Sequence, residues 1–501
     1  MSRVTEGPRT GSTPVAERHS SPNTTLIVVY LALGGLAYAV LQSLVAPALS
    51  TIGKDLGAST SNVSWIITAY LLSASVLTPI FGRMGDMMGK RRILIVVMSL
   101  LLVGTVVAAL APNLATLIVA RCLQGAAGAV LPLSIGIVRD ELPKDRVSVV
   151  IGLLSGIFGI GAGIGIVAAG PIVQHLDWHW LFWLPLALIV VGLAGIVFGM
   201  PESDVRKPGR LDLAGTAILS ISLVALLLAV SEGETWGWGD VKTIGLLAVG
   251  VVALVVFVVV ELRVKAPLID VRLFRIRGVW TAHVVALVFG FAMYGTFVLV
   301  PTLLQLPSFT GYGFGKTASQ AGLFLLPTVL MMIVVSPVAG ALVRRTGPKP
   351  PLVIGSVLLT AAFVLPGLAH DQVWQILVSG ILTGAGIGFG LSAASNAIIE
   401  SVPIEQTGEA ISANTVVRTI GSSVGTAVIA ALISSHTKVF TLPTGHVGLP
   451  GAAAFTIGFW ACAGVGALAI VGALAAPGMR KRRADAIAAG VEDIDAVVDE
   501  R

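Results

Sequence analysis

Polar residues break this chain only at intervals, and between them run fourteen apolar stretches. They cover about 25–49, 62–81, 93–111, 114–138, 149–172, 180–199, 211–230, 241–262, 279–305, 318–342, 351–369, 374–399, 409–433 and 452–475. A hydrocarbon core about 30 Å thick takes roughly 20 residues of helix to cross. Inside lipid, each backbone N–H and C=O must be satisfied within its own segment, so the pattern predicts fourteen transmembrane helices and no barrel. Composition points the same way: 55% of residues are hydrophobic and 12% charged, far from a soluble globular chain.

One polar element occurs twice. Gly82-Arg-Met-Gly-Asp86-Met-Met-Gly89-Lys-Arg91-Arg92 follows the second stretch and returns as Gly340-Ala-Leu-Val-Arg344-Arg345-Thr-Gly347-Pro-Lys349. The two glycines and the last cation keep their spacing, and Arg344 stands where the first copy has Asp86. At nearly the same offset, the segment holding Arg121, Gln124 and Gly125 matches one holding Gly380, Thr383 and Gly384. Duplicated units of apolar helices are a mark of secondary transporters.

Charge gives the orientation. Of the 32 Lys and Arg, Lys54, Lys242, Lys316 and Lys438 fall in one set of alternate loops, and Arg121 and Arg418 lie inside helices. The rest share the other loops and the two ends. The positive-inside rule therefore puts both termini in the cytoplasm of a plasma-membrane protein. Trp178, Trp180, Trp183, Trp236, Trp238 and Trp374 fall on the opposite side, as an outer aromatic belt does. The net charge of +6 is thus topological, and nucleic acid is not an expected partner.

Residues 1–24 are polar, without the apolar core of a cleaved signal peptide, and read as a disordered cytoplasmic tail. Residues 479–501 read as a second tail. Cys122 and Cys462 sit in predicted helices and imply no disulfide. His175, Asp177 and His179 form the nearest thing to a metal-ligand set, but they read more simply as an outer interface loop. No metal or cofactor is expected, and the seven histidines show no arrangement with a nucleophile that would suggest an enzyme.

The duplicated element, the helix count and the Arg121-x-x-Gln124-Gly125 spacing together resemble the major facilitator superfamily, in its fourteen-helix drug:proton antiporter branch. The likeness covers roughly residues 25–475. It implies an all-α membrane protein with two six-helix bundles, 25–200 and 278–478, and a central two-helix insert with charged linkers, 201–277. It also implies a cytoplasmic latch of Gly82, Asp86, Gly89, Arg91 and Arg92, with Gly340, Arg344, Gly347 and Lys349 as its second-half counterpart. In this reading Gly82 and Gly89 make a tight turn, and Asp86 pairs with Arg91 or Arg92 or sits at a helix N-terminus.

Arg121 lies well inside helix 4, where a guanidinium is expensive in lipid and must face the bundle interior. With Gln124 and Gly125 it reads as a coupling charge, or else as an anchor to backbone carbonyls. Helix 5 carries a glycine run with Gly161, Gly165, Gly170 and Pro171. It lacks the flanking strand and acid of a dinucleotide site, and it resembles the family's helix-5 antiporter motif. It departs from that motif where Gly165 is followed by Ile166, which weakens the case for antiport.

Acids are missing from the middle of all fourteen predicted helices, and Gln42 stands where many relatives carry Asp. Candidate cavity residues are Tyr38, Gln42, Tyr294, Gln305, Asn396, Asn414 and Arg418. Two buried arginines without a buried carboxylate predict a cavity that prefers neutral, zwitterionic or anionic amphipathic compounds. The leading reading is a monomeric, proton-driven exporter of drugs, antibiotics or natural products. Uptake or exchange of a small polar metabolite and a non-transporting membrane sensor are the alternatives.

Overall fold

The computed structural model describes residues 24–478 apart from 204, 207–208, 265 and 443–444. The tails expected over 1–24 and 479–501 lie, but for Thr24, outside the described residues. Among the described residues, fourteen helices are long and apolar enough to cross a membrane. They are helix 1 (Thr24–Leu44), 2 (Thr60–Met88), 3 (Lys90–Ala109), 4 (Leu114–Glu141), 5 (Lys144–His175), 6 (Trp180–Gly199) and 7 (Leu213–Trp236). Then follow helix 8 (Val241–Glu261), 9 (Arg277–Gln305), 10 (Leu326–Thr346), 11 (Lys349–Leu368), 12 (Val373–Ile399), 13 (Thr407–Ser435) and 14 (Ala452–Ala475). Arg83, Lys90, Arg139 and Arg344 mark one end of this array, the basic end. Trp180, Trp236 and Trp374 mark the other, the aromatic end.

Helices 1–6 and 9–14 form two bundles, which meet chiefly where helix 5 packs on helix 10 and helix 2 on helix 13. Glycines set the first contact. Gly152, Gly156, Gly159 and Gly163 recur on one face of helix 5, and a Cβ at any of them would strike Ser336, Met332 or Val329 of helix 10. Gly161 and Gly165 lie on another face, against Ala39, Val40 and Ser43 of helix 1. The run thus lets two neighbours approach at once. Pro171 lies within helix 5, which continues to His175.

Helix 4 is not uniform: residues Ala126–Ala129 form a 3-10 turn directly after Arg121, Gln124 and Gly125. At the aromatic end, β1 (Thr437–Leu442) and β2 (Gly445–Pro450) pair antiparallel between helices 13 and 14. The loop expected to hold Lys438 is thus a paired hairpin. Tyr312 donates its hydroxyl to the Pro450 carbonyl, and Phe309 packs edge-on against Phe440.

Helices 7 and 8 pair closely at Gly250, whose carbonyl accepts from Ser222 at 2.8 Å and whose open face receives Leu226. Helix 7 rests on helices 2 and 13, whereas helix 8 presents Val251, Val252 and Val255 outward. Single cysteines at Leu226 or Leu254 should therefore resist water-soluble thiol reagents, with labelling near background. Efficient labelling at either would place the pair along the aqueous path.

Candidate functional site

The basic end is closed by a clamp between the bundles. Gly89 takes φ +111°, a conformation open to glycine and costly for other residues, and it alone separates helices 2 and 3. The segment read as a loop is therefore mostly helix: Gly82 and Asp86 belong to the last turns of helix 2, and only Gly89 makes the turn. That shifts the partners. Lys90, not Arg91 or Arg92, is the cation beside Asp86, with Nζ 3.7 Å from Oδ1 and 2.7 Å from Asp140 Oδ2. Arg91 instead donates to the Ile196 and Val197 carbonyls at the end of helix 6, where a cation meets unpaired carbonyls. Arg92 lies 3.5 Å from Glu202.

The Asp86 carboxylate accepts the N–H groups of Gly408 at 3.1 Å and Glu409 at 2.8 Å. It thus serves the N-terminal turn of helix 13, in the opposite bundle, where orphan donors favour an anion. Glu409 reaches back to Arg83, Oε2 to Nη1 at 3.2 Å, and also accepts the backbone N–H of Asp270. Arg139 of helix 4 adds bonds to the carbonyls of Val402 and Pro403 and to Thr407 Oγ1. Gly82 permits this approach, since a Cβ there would collide with Ser412 and the Gly408 carbonyl. Arg83, Asp86, Lys90 and Glu409 are each at most 1% exposed. In sequence, Arg83 stands at i−3 from Asp86, the spacing that shares a helix face, whereas Lys90 lies beyond the turn at Gly89 and carries no such sign. The bond of Arg83 to Glu409, far along the chain, had no local sign.

The second copy makes a weaker version. Gly347, at φ +78°, ends helix 10 and Lys349 opens helix 11. Gly340 lies against the Ser148 carbonyl and Val149 of helix 5. Arg344 donates to the Asp145 carbonyl at 3.3 Å in the first turn of that helix. An acid serving donors has become a cation serving an acceptor.

Between the bundles, away from the clamp, lies a group of arginines and phenols. Arg121 is 1% exposed. Its Nη1 donates to Gln124 Oε1 at 2.8 Å, its Nε to the Ile66 carbonyl at 3.3 Å, and its guanidinium sits 4.2 Å from the Tyr70 ring centroid. Gln124 passes the bond on to Thr105 at 3.2 Å, and Gly125 lies against Ser73 and Ala74 of helix 2. Gln42 donates to the Tyr294 hydroxyl at 3.0 Å, linking helix 1 to helix 9. Both Arg121 and Arg418 act electrostatically on Tyr38 and Tyr294. Arg418 and Asn414 line a small interface cavity with Ser155, Phe158 and Ser395. Asn414 also bonds His283 Nδ1 at 3.0 Å.

Two candidates lie elsewhere. Gln305 is exposed at the last residue of helix 9 and bonds its own helix at Pro301. Asn396 bonds the carbonyls of Ser392 and, at 3.4 Å, of Ser148, near the basic end of helix 12. Tyr70, whose ring faces the Arg121 guanidinium, belongs to the group. His179 pairs with Asp177 at 2.9 Å, and among the described residues no three side chains form a metal-ligand group.

The family model described as Major Facilitator Superfamily matches residues 31–426 and 285–493. The chain is 31% identical over 437 residues to a tetracenomycin C resistance and export protein of Streptomyces glaucescens, covering 85% of this chain and 78% of that one. It is 27% identical to multidrug resistance protein 3 of Bacillus subtilis, covering 86% and 83%. In fold it is similar to the human organic anion transporter MFSD10, with a TM-score of 0.62 at 15% identity over 90% of this chain and 100% of that one. It is likewise similar to the proton:xylose symporter XylE, at 0.60 and 14% over 90% and 94%.

Proposed function

The chain belongs to the major facilitator superfamily, and from that premise we infer that it exports amphipathic drugs, antibiotics or natural products. Export is driven by protons entering in exchange, through alternating access, by a monomer in the plasma membrane. The basic end and both termini face the cytoplasm, so the clamp is the gate that must open for loading. Names of the relatives, resistance and export among them, favour outward transport over enzymatic work.

One observation carries the substrate preference. Arg121 stacks on Tyr70 and Arg418 lines the small cavity between the bundles, whereas the acids of the clamp, Asp86, Asp140 and Glu409, lie at the basic end, bound to cations or helix donors of their own, and the buried Glu232 and Glu261 belong to the central helix pair. Such a cavity suits neutral or acidic aromatic compounds, which its donors and ring faces can hold. A dication adds charge to a site already positive and weakly screened. Metabolite exchange is less well supported, because Gln305 and Asn396 stand apart from the other polar candidates.

The test is efflux from loaded cells of one acidic and one dicationic dye, with and without a protonophore. Acidic-dye efflux should exceed dicationic-dye efflux several-fold and fall to background with the protonophore. Equal or better export of the dication would overturn the charge argument, and protonophore-insensitive efflux would overturn the proton drive.

A further inference from the structure

The base of the central helix pair holds two carboxylates that the clamp does not use. Asp212 caps helix 7, with Oδ1 accepting the Gly215 N–H at 2.9 Å. Glu261 ends helix 8, with Oε1 accepting the Leu268 N–H at 3.2 Å. The second oxygen of each, Asp212 Oδ2 and Glu261 Oε2, is buried without a hydrogen-bond donor. Glu261 as a whole is 1% exposed. The two side chains meet over Gly215, where an added Cβ would touch both Glu261 Oε1 and Asp212 Oδ2.

Among the described residues, no cation is ion-paired with either carboxylate. Helix 13 contributes Glu409, a third acid, whose charge is met by Arg83 of helix 2. The linker contributes Asp270, and Arg272, whose guanidinium donates to the Leu262 carbonyl at 3.0 Å. Two ionised carboxylates so placed repel each other, and a proton held between them removes that repulsion.

We propose that Asp212 and Glu261 form a proton-binding site that, when occupied, holds the clamp shut. A short stretch of backbone connects the two. Leu268 rests on Glu261, and two residues on, the Asp270 N–H rests on Glu409, the partner of Arg83. Leu268 and Ile269 are packed with Leu219, Leu223, Ala413 and Val416, so this linker also touches helices 7 and 13. Loss of the proton leaves two like charges, drives Glu261 toward water and pulls the linker from helix 13. Glu409 then loses a donor, and its bond to Arg83 weakens. Acid on this side fills the site and favours the closed clamp; alkali empties it and favours opening. The proposal rests on the reading of the basic end as the cytoplasmic loading gate, and adds that cytoplasmic pH controls it.

Ser412→Cys, in a background carrying Cys122→Ser and Cys462→Ala, places a thiol behind the clamp against Gly82. Labelling by an impermeant maleimide in inside-out vesicles is measured between about pH 6 and pH 8, scaled to a thiol peptide to remove the reagent's own pH dependence. Scaled labelling should rise at least about threefold with pH in the parent protein. It should stay low and flat in Glu261→Gln and in Asp212→Asn, where the pair needs no shared proton. Should Glu261→Gln fail to reach the membrane, Asp212→Asn, which keeps an oxygen to cap helix 7, carries the same test. A parent-like rise in either variant, or a flat parent, overturns the proton site. Labelling needs no substrate, so a protein that exports nothing would overturn the export reading and leave this result to stand or fall alone.

Discussion

Asp86→Asn is expected to lower efflux at least about tenfold, the effect of roughly 1.4 kcal/mol, with an unchanged amount of protein in the membrane. The carboxylate does three things at once: it accepts two backbone donors of helix 13 and faces Lys90. Asparagine keeps one acceptor oxygen and turns an N–H₂ toward the second donor. Hydrogen bonds to a charged group contribute about 1.5–3 kcal/mol each, and the buried Lys90 keeps only Asp140 as its anion. The two backbone bonds fall on the closed clamp alone, because Gly408 and Glu409 belong to the other bundle and leave Asp86 when it opens. The equilibrium therefore shifts toward the open basic end, and the cycle stalls there. Within the first bundle only the contact with Lys90 is weakened, and Lys90 keeps Asp140 at 2.7 Å, so folding is spared. Efflux and surface expression measured in the same cells decide the matter. Normal efflux at equal expression would remove Asp86 from the mechanism.

That argument shows which parts of the molecule the residues announce by themselves. Fourteen helices and the duplicated element follow from apolar runs and from glycine spacing, because lipid leaves the backbone few other choices; the two-bundle plan follows from the family resemblance. Gly89 was legible as a turn and ends helix 2 at positive φ, whereas Gly82, expected to share that turn, lies inside the helix. The partner of Asp86 was not. With the helix running to Met88, each residue turns the face by about 100°, so a boundary displaced by a few residues exchanges Lys90 for Arg91 and Arg92. Depth was misjudged likewise. Gln305 and Asn396 are polar residues on apolar helices, yet a position near a helix end puts each outside the central group. The hairpin of Thr437–Leu442 with Gly445–Pro450 carries a faint sequence signal, because the alternation of Thr437, Val439 and Thr441 is short beside the two long apolar helices that flank it. Contacts between bundles, such as Glu409 with Arg83, depend on how two packed surfaces meet, and nothing local encodes that.

Arg121→Ala should also abolish efflux, by about tenfold or more, and the reason is electrostatic as well as structural. The guanidinium bridges helix 4 to the Ile66 carbonyl of helix 2, holds Gln124, and stacks on Tyr70. Alanine leaves Gln124 without its donor and takes positive charge from beside Tyr38 and Tyr294. Arg121→Lys separates the two effects: it restores charge but, as a point ammonium, cannot make the same bridge. Its remaining efflux should keep the preference for the acidic dye at a lower rate.

The complementary change is Gln42→Asp. Gln42 bonds Tyr294, so a carboxylate there lies beside the phenols on which both arginines act, and lowers the positive potential they share. Preference should move toward monovalent cations, and dependence on the proton gradient should grow, because the new acid can itself carry a proton. Efflux of an acidic and a cationic dye is compared in the parent protein, Arg121→Lys and Gln42→Asp. A ratio that Gln42→Asp leaves unmoved would mean that substrate binds away from Tyr294. In that case an acid such as Glu409, at the far side of helix 13 from Arg418, would have to reach the pathway once the clamp opens.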